Sequence, residues 1–285
     1  MTISIAEAIT EAAQLLRTSG VPGARRDAAS LLSFTVEKDR TFLLSHSDHF
    51  LSDAELNSFR ERVDRRSHGE PLQYITGQQD FYGRVFRVSP AVLIPRPETE
   101  LLVEAALELV DEEQTARICD VGTGSGCIAI TLACERVNVQ GIALDISPSA
   151  LEIARQNADA LNVDKRLTFL LSDCFNALSK AGQSFDLIVS NPPYVAADVV
   201  SGLQREVKDH EPMIALTPGA NGLSVIKRLI DEAPEFLRKD GHLLLEIGFD
   251  QGEAVQGLVD SRQWQLVNLL PDLQGIPRIV ILRKI

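Results

Sequence analysis

The tetrapeptide Asn191-Pro192-Pro193-Tyr194 closes an apolar run, Phe185-Asp186-Leu187-Ile188-Val189. A core strand ending in one amide, two rigid prolines and an aromatic ring suits chemistry on a planar NH2 group. In an amide or an aromatic amine the nitrogen lone pair is delocalised, and the nitrogen is a poor nucleophile. A protein assists by accepting both N–H hydrogens. The Asn191 side-chain oxygen suits one and the Pro192 carbonyl the other. Proline has no N–H and a fixed φ, so that carbonyl is held rigidly. Pro193 stiffens the same turn, and Tyr194 is expected to stack on the flat substrate group. Catalysis is then positioning and electrostatics, without an obligatory strong base. An isolated Asn-Pro would read as a turn. The residues upstream of this one favour the chemical reading.

Upstream lies Asp120-Val121-Gly122-Thr123-Gly124-Ser125-Gly126, between an apolar strand and a helix. Glycines here allow a tight turn and close approach of a ligand to the main chain. A dinucleotide fingerprint would need its third glycine at Cys127, and a P-loop would need Gly-Lys-Ser/Thr. The closer spacing suits a ligand without a pyrophosphate, and S-adenosylmethionine is the obvious candidate. Asp145 ends the next strand, placed to accept from both ribose hydroxyls. Ser172-Asp173-Cys174-Phe175 ends the third. Asp173 is expected to accept from an adenine amino group, with Cys174 and Phe175 walling the ring.

These residues need a scaffold that gathers strand ends. From Arg117 onward strands alternate with helices, with strands expected at 117–121, 139–145, 167–171, 185–190, 242–247, 264–269 and 278–283. Such alternation implies an open α/β sheet of Rossmann-like type. Ser147-Pro148 is an N-cap followed by proline at the first helical position. The last two strands are joined by too few residues for a crossover helix and should pair antiparallel. The first seventy or so residues read as a helical bundle, opened by capping boxes at Ser4–Glu7 and Ser52–Glu55. Between them and the α/β region, Tyr74-Ile75-Thr76-Gly77 and Phe81 to Val88 read as a linking β-hairpin. Arg96, Glu98 and Thr99 stand at a helix start, at the lip of the cofactor's methionine end.

The 285 residues carry a formal net charge of −12, which disfavours non-specific contact with a phosphate backbone. Arg60, Arg62, Arg65 and Arg66, interleaved with Glu61 and Asp64, read as a solvated helix face. There is no apolar run of membrane-spanning length. The first residues lack the pattern of a secretory signal. Cys119, Cys127, Cys134 and Cys174 form no Cys-x-x-Cys pair and read as reduced thiols. A cytoplasmic protein follows, with a monomer as the default.

With its proline-rich approach segment the chain resembles a known family, the bacterial release-factor glutamine N5-methyltransferases. The likeness runs through Gly69-Glu70-Pro71-Leu72-Gln73-Tyr74-Ile75-Thr76-Gly77, Leu93-Ile94-Pro95-Arg96-Pro97-Glu98-Thr99-Glu100, the glycine loop, Asn191 to Tyr194, Glu211-Pro212 and Leu244-Leu245-Glu246-Ile247-Gly248. It implies a class I methyltransferase domain over 96–285, a hairpin linker over 73–95 and a substrate-recognising helical bundle over 1–72. It implies methyl transfer from S-adenosyl-L-methionine to the glutamine of the Gly-Gly-Gln motif in peptide chain release factors. By the same resemblance Gly122 to Gly126, Asp145, Cys174 and Asn191 line the cofactor, and Asn191 to Tyr194 hold the glutamine. Where Cys174 stands the family often carries a large aromatic residue, a contact that Phe175 is expected to take up. The rival readings are adenine-N6 methylation of DNA or RNA, whose amine is chemically similar, and a binding-only domain of the same fold. No metal is expected.

Overall fold

A computed structural model describes residues 3–179 and 184–285. The chain divides into two compact units, Met1–Gln78 with Gln204–His210, and Gln79–Leu203 with Glu211–Ile285.

The first unit is helical: α1 (Ile5–Thr18), α2 (Ala24–Val36), α3 (Arg40–Ser45), α4 (Asp53–Ser67) and α5 (Leu72–Thr76). Both capping boxes form. Ser4 Oγ accepts from the Glu7 N–H while the Ser4 N–H donates to Glu7 Oε2, and Ser52 and Glu55 repeat the exchange. The apolar stripes of α1, α2 and α4 meet in one core holding Leu16, Leu31, Leu32 and Phe59. Each such side chain contributes about 1.5–3 kcal/mol by leaving water.

Two expectations fail in this unit. Tyr74-Ile75-Thr76 is a helical turn, not a strand. Pro71 precedes it, Ile75 joins the core, and Gly77 ends it in the left-handed region at φ 71°. Burial of the two large side chains outweighs their β propensity. Arg66 is not solvated but only 3% exposed. Its guanidinium donates to Asp27 Oδ2 at 2.9 Å, to Glu206 and to the Glu70 carbonyl. Glu206 belongs to α9 (Arg205–His210), so a sequence-distant segment supplies the partner. Charge-patterning within one helix cannot show that.

In the second unit the strands are β3 (Ala116–Val121), β4 (Val139–Asp145), β5 (Leu167–Leu171), β6 (Phe185–Ser190), β7 (Leu237–Glu246), β8 (Trp264–Pro271) and β9 (Pro277–Lys284). A small hairpin, β1 (Gln78–Phe81) and β2 (Arg84–Arg87), precedes them. The sheet order is β5-β4-β3-β6-β7-β9-β8. The first five of these run parallel, and β9 pairs antiparallel with both β7 and β8. The helices are α6 (Thr99–Leu109), α7 (Cys127–Glu135), α8 (Pro148–Ala160), α10 (Met213–Leu216), α11 (Ser224–Glu232) and α12 (Gly252–Gln256).

Strand side chains alternate between two cores. Ile118, Leu187, Val189 and Leu244 face one, and Cys119, Ile188, Leu243 and Leu245 the other. Both faces are covered, which is why these strands read as continuous apolar runs. The order reverses beside β3: the chain moves outward to β4 and β5, then returns to β6 on the other side. A crevice forms at the carboxyl ends of strands at such a switch.

Candidate active site

The crevice is a cavity of about 220 Å³ lined by the ends of β3, β4, β5 and β6 and by the loops that follow them. Gly122, Thr123, Gly124 and Ser125 line it, with Asp145, Asp173, Cys174, Asn191, Pro192 and Pro193. The loop after β3 is held from several sides. The Gly122 and Thr123 N–H groups donate to the Leu144 carbonyl at 2.8 and 2.9 Å, continuing the β3–β4 ladder. The Gly124 N–H donates to Asp145 Oδ2 at 2.8 Å, and the Ser147 N–H to Asp145 Oδ1 at 2.9 Å. Burial pushes the Asp145 carboxyl up, and these N–H donors pull it back. Asn157 was not foreseen. It is buried on α8 and donates to the Ser125 carbonyl at 2.8 Å while bonding both backbone groups of Arg87.

The three loop glycines differ. A Cβ on Gly122 or Gly124 would meet nothing within 4 Å, so both leave an open cradle, at φ 74° and 55°. A Cβ on Gly126 would lie 2.5 Å from the Ile130 side chain. Gly126 packs the turn onto α7 and does not line the cavity, contrary to its expected role. Below it Asp120 is fully buried; burial raises its carboxyl to about 7, against donors from Thr123 and Ala129.

One other expected contact needs correction. Phe175 is 2% exposed and stacks on Phe236, with ring centroids 4.9 Å apart. It is core, which leaves Cys174 at the cavity wall. The Asp173 carboxylate accepts from Arg228 at 2.6 Å, so it reaches the cavity edge already paired.

At β6, the Ser190 hydroxyl donates to the Val121 carbonyl at 2.6 Å and ties the strand end to the glycine loop. Asn191 therefore emerges beside Gly122. Its Nδ2 donates to Thr99 Oγ1 at 3.0 Å, and the Thr99 hydroxyl donates to Glu246 Oε2 at 2.7 Å. Among the described residues no hydrogen bond engages Asn191 Oδ1 or the Pro192 carbonyl. Tyr194 departs from expectation. Its ring packs on the core between sheet and α11, and its hydroxyl lies 3.4 Å from Glu246 Oε1. Burial pushes the Glu246 carboxyl up to about 7 and the Tyr194 phenol above its ordinary range. A single acid at the end of Leu243-Leu244-Leu245-Glu246 was the available signal, because a buried charge in an apolar strand requires a polar partner.

Behind this turn the Tyr194 carbonyl accepts from Gln251 Nε2 at 3.0 Å. Gly222, at φ 77°, lies against the same carbonyl; a Cβ there would sit 2.2 Å from its oxygen. Gly222→Ala is expected to displace the turn and to destabilise the fold by about 1–3 kcal/mol from backbone strain alone. Chemical denaturation reads this directly, and an unchanged midpoint would show that the turn yields freely. On the cavity's other side Glu211, nearly buried, accepts from the Ile94 N–H and from Arg96, fastening the approach segment.

The strand order with its reversal beside β3, the glycine loop and the cavity at the strand ends define a Rossmann-like class I methyltransferase. Among solved structures a ribosomal protein L11 methylase from Lactobacillus delbrueckii subsp. bulgaricus shares this fold, with a TM-score of 0.51 at 20% identity, over 73% of this chain and 90% of that one. The family model of the PrmC N-terminal domain matches residues 7–77, and that of a methyltransferase domain matches 112–257. A release factor glutamine methyltransferase of Koribacter versatilis is 45% identical over 282 residues, 99% of each chain. One of Cereibacter sphaeroides is 44% identical over 278 residues, 98% of each. The chain belongs to the release factor glutamine methyltransferase family. Among the described residues no helix is long and apolar enough to cross a membrane.

Proposed function

We propose that this enzyme transfers a methyl group from S-adenosyl-L-methionine to the side-chain amide nitrogen of the glutamine in the Gly-Gly-Gln motif of peptide chain release factors. The observation that carries this reading is the Asn191 amide. It stands in the same cavity as the glycine cradle, with its NH2 end bonded to Thr99. Its oxygen and the Pro192 carbonyl are two acceptors for the two N–H groups of a primary amide.

The chain's residues fit the cofactor. Gly122 and Gly124 leave room over the loop for a ligand to approach the backbone. Asp145 would accept from ribose hydroxyls with the lone pairs that Gly124 and Ser147 leave free. Cys174 and Asp173 would border the adenine. The bound cofactor supplies an electrophilic methyl group on a sulfonium sulfur. Asn191 and Pro192 hold the substrate nitrogen so that its lone pair points along the line of transfer. They also attract positive charge as it develops on the N–H groups, and one of these protons must pass to solvent for the neutral N-methyl amide to form. Each such charge-assisted hydrogen bond contributes about 1.5–3 kcal/mol, or about one to two powers of ten in rate. Pro193 keeps the turn rigid, and Tyr194 supports it from the core side.

The same reading assigns the helical residues 1–72 to recognition of the release factor's body, and places a monomeric enzyme in the cytoplasm. The net charge of −12 supports a protein surface as substrate, with no direct nucleic-acid contact. Incubation with labelled cofactor and a release factor, beside an adenine-containing duplex, tests the proposal. Mass spectrometry is expected to place one methyl group on the Gly-Gly-Gln glutamine. Label in the duplex and none in the factor would replace this reading with adenine methylation.

A further inference from the structure

We infer that Thr99 and Glu246 are positioning residues that fix which end of the Asn191 amide faces the substrate. The inference rests on the proposed role of Asn191 and deepens it.

An asparagine amide has two ends of nearly equal size and opposite hydrogen-bonding sense. Only the oxygen end can accept a substrate N–H. With the amide reversed, Asn191 would point its own NH2 at the glutamine NH2, donor against donor. Something must therefore set the orientation, and packing by shape alone cannot. In this structure a directed chain does so. The Thr99 hydroxyl has a single hydrogen and gives it to Glu246 Oε2 at 2.7 Å. The Thr99 oxygen therefore meets Asn191 with lone pairs only, and Asn191 answers with Nδ2 at 3.0 Å. A reversed amide would set oxygen against oxygen. Thr99 and Glu246 are each 2% exposed, so water does not readily supply the missing hydrogen. The polarity requires only that Oε2 accept.

The three residues come from separate elements: Thr99 from the start of α6, Glu246 from the end of β7 and Asn191 from the end of β6. Tyr194 completes the arrangement by approaching the other carboxyl oxygen, Oε1, at 3.4 Å. The tetrapeptide thus supplies both ends of a loop of bonds, with its first residue facing the cavity and its last bracing the acid.

The test compares hydroxyl-bearing with hydroxyl-free residues at position 99. Thr99→Val keeps the shape and removes the hydroxyl; Thr99→Ser keeps the hydroxyl. Initial rates on a glutamine peptide and calorimetric titration with S-adenosyl-L-methionine are measured for both. Thr99→Val is expected to lose about 10- to 100-fold in kcat, the range of one misdirected transition-state hydrogen bond. Its KM for the peptide should change by less than about threefold, and cofactor affinity likewise. Thr99→Ser is expected to stay within about threefold of wild type in kcat. The same bond is read from its other end by Glu246→Gln, which keeps an acceptor and should retain most turnover, against Glu246→Met, which has no such acceptor and should fall with Thr99→Val. That pair decides the matter should Thr99→Val not fold. Wild-type kcat in Thr99→Val, or an equal loss in Thr99→Val and Thr99→Ser, would overturn the inference. Asn191→Ala separates the two levels. If Asn191→Ala is inactive and Thr99→Val is normal, only the positioning role fails. If Asn191→Ala turns over normally, the reading of Asn191 fails and takes this inference with it.

Discussion

Asn191→Ala is expected to lower kcat for glutamine methylation by about a hundredfold, while cofactor affinity changes by no more than about threefold. The loss has two sources. The substrate amide loses an acceptor that strengthens as positive charge develops on nitrogen. Thr99, buried at the helix start, also loses its donor from Nδ2. In the proposed placement of the cofactor neither contact falls on its adenosine half, so cofactor binding should survive. Single-turnover rates with saturating cofactor measure the first effect, and calorimetry the second. Near-normal turnover would remove the amide-gripping mechanism.

Asp145→Ala is expected to act on the other partner and in the opposite parameter. The dissociation constant for S-adenosyl-L-methionine should rise about a hundredfold or more. Two ribose hydroxyls donating to a buried carboxylate are worth about 1.5–3 kcal/mol each, and about 1.4 kcal/mol is a factor of ten. The substitution also frees the Gly124 and Ser147 N–H groups that the carboxylate holds at 2.8 and 2.9 Å. The loop would then have to be ordered by the ligand itself. At saturating cofactor kcat should recover substantially, unlike in Asn191→Ala. An unchanged dissociation constant in calorimetry would contradict the ribose assignment. Together the two substitutions separate binding of the methyl donor from presentation of its acceptor.

Much of the scaffold could be read from local pattern, for local reasons. Ser4–Glu7 and Ser52–Glu55 cap their helices through bonds spanning three residues. Ser147-Pro148 starts α8 in the same way. The short connection before the last strand permits only the antiparallel pairing that β8 and β9 adopt. The glycine loop announces itself because left-handed φ and an open cradle both require the absence of a side chain. Where expectation failed, a competing long-range contact decided. Phe175 follows the third strand end as an adenine wall would, but Phe236, sixty-one positions later in the chain, captures its ring. Tyr194 was expected to face the substrate, but the core side and Glu246 hold it.

Residue type and spacing thus determined the class of chemistry: a glycine cradle, an acid at the next strand end and an amide beside a rigid carbonyl. They also determined the alternation of strands and helices that brings those ends together. Only the tertiary structure decided how Asn191 is oriented, which loop glycine packs against a helix, and which polar residues support the site from below. Asn157 stands in no motif, and Thr99 and Glu246, which stand in segments 93–100 and 244–248 of the family likeness, are too far apart in the chain for spacing to pair them. Their roles arise because burial away from water makes each polar group find a partner, and the fold alone settles which partner is within reach.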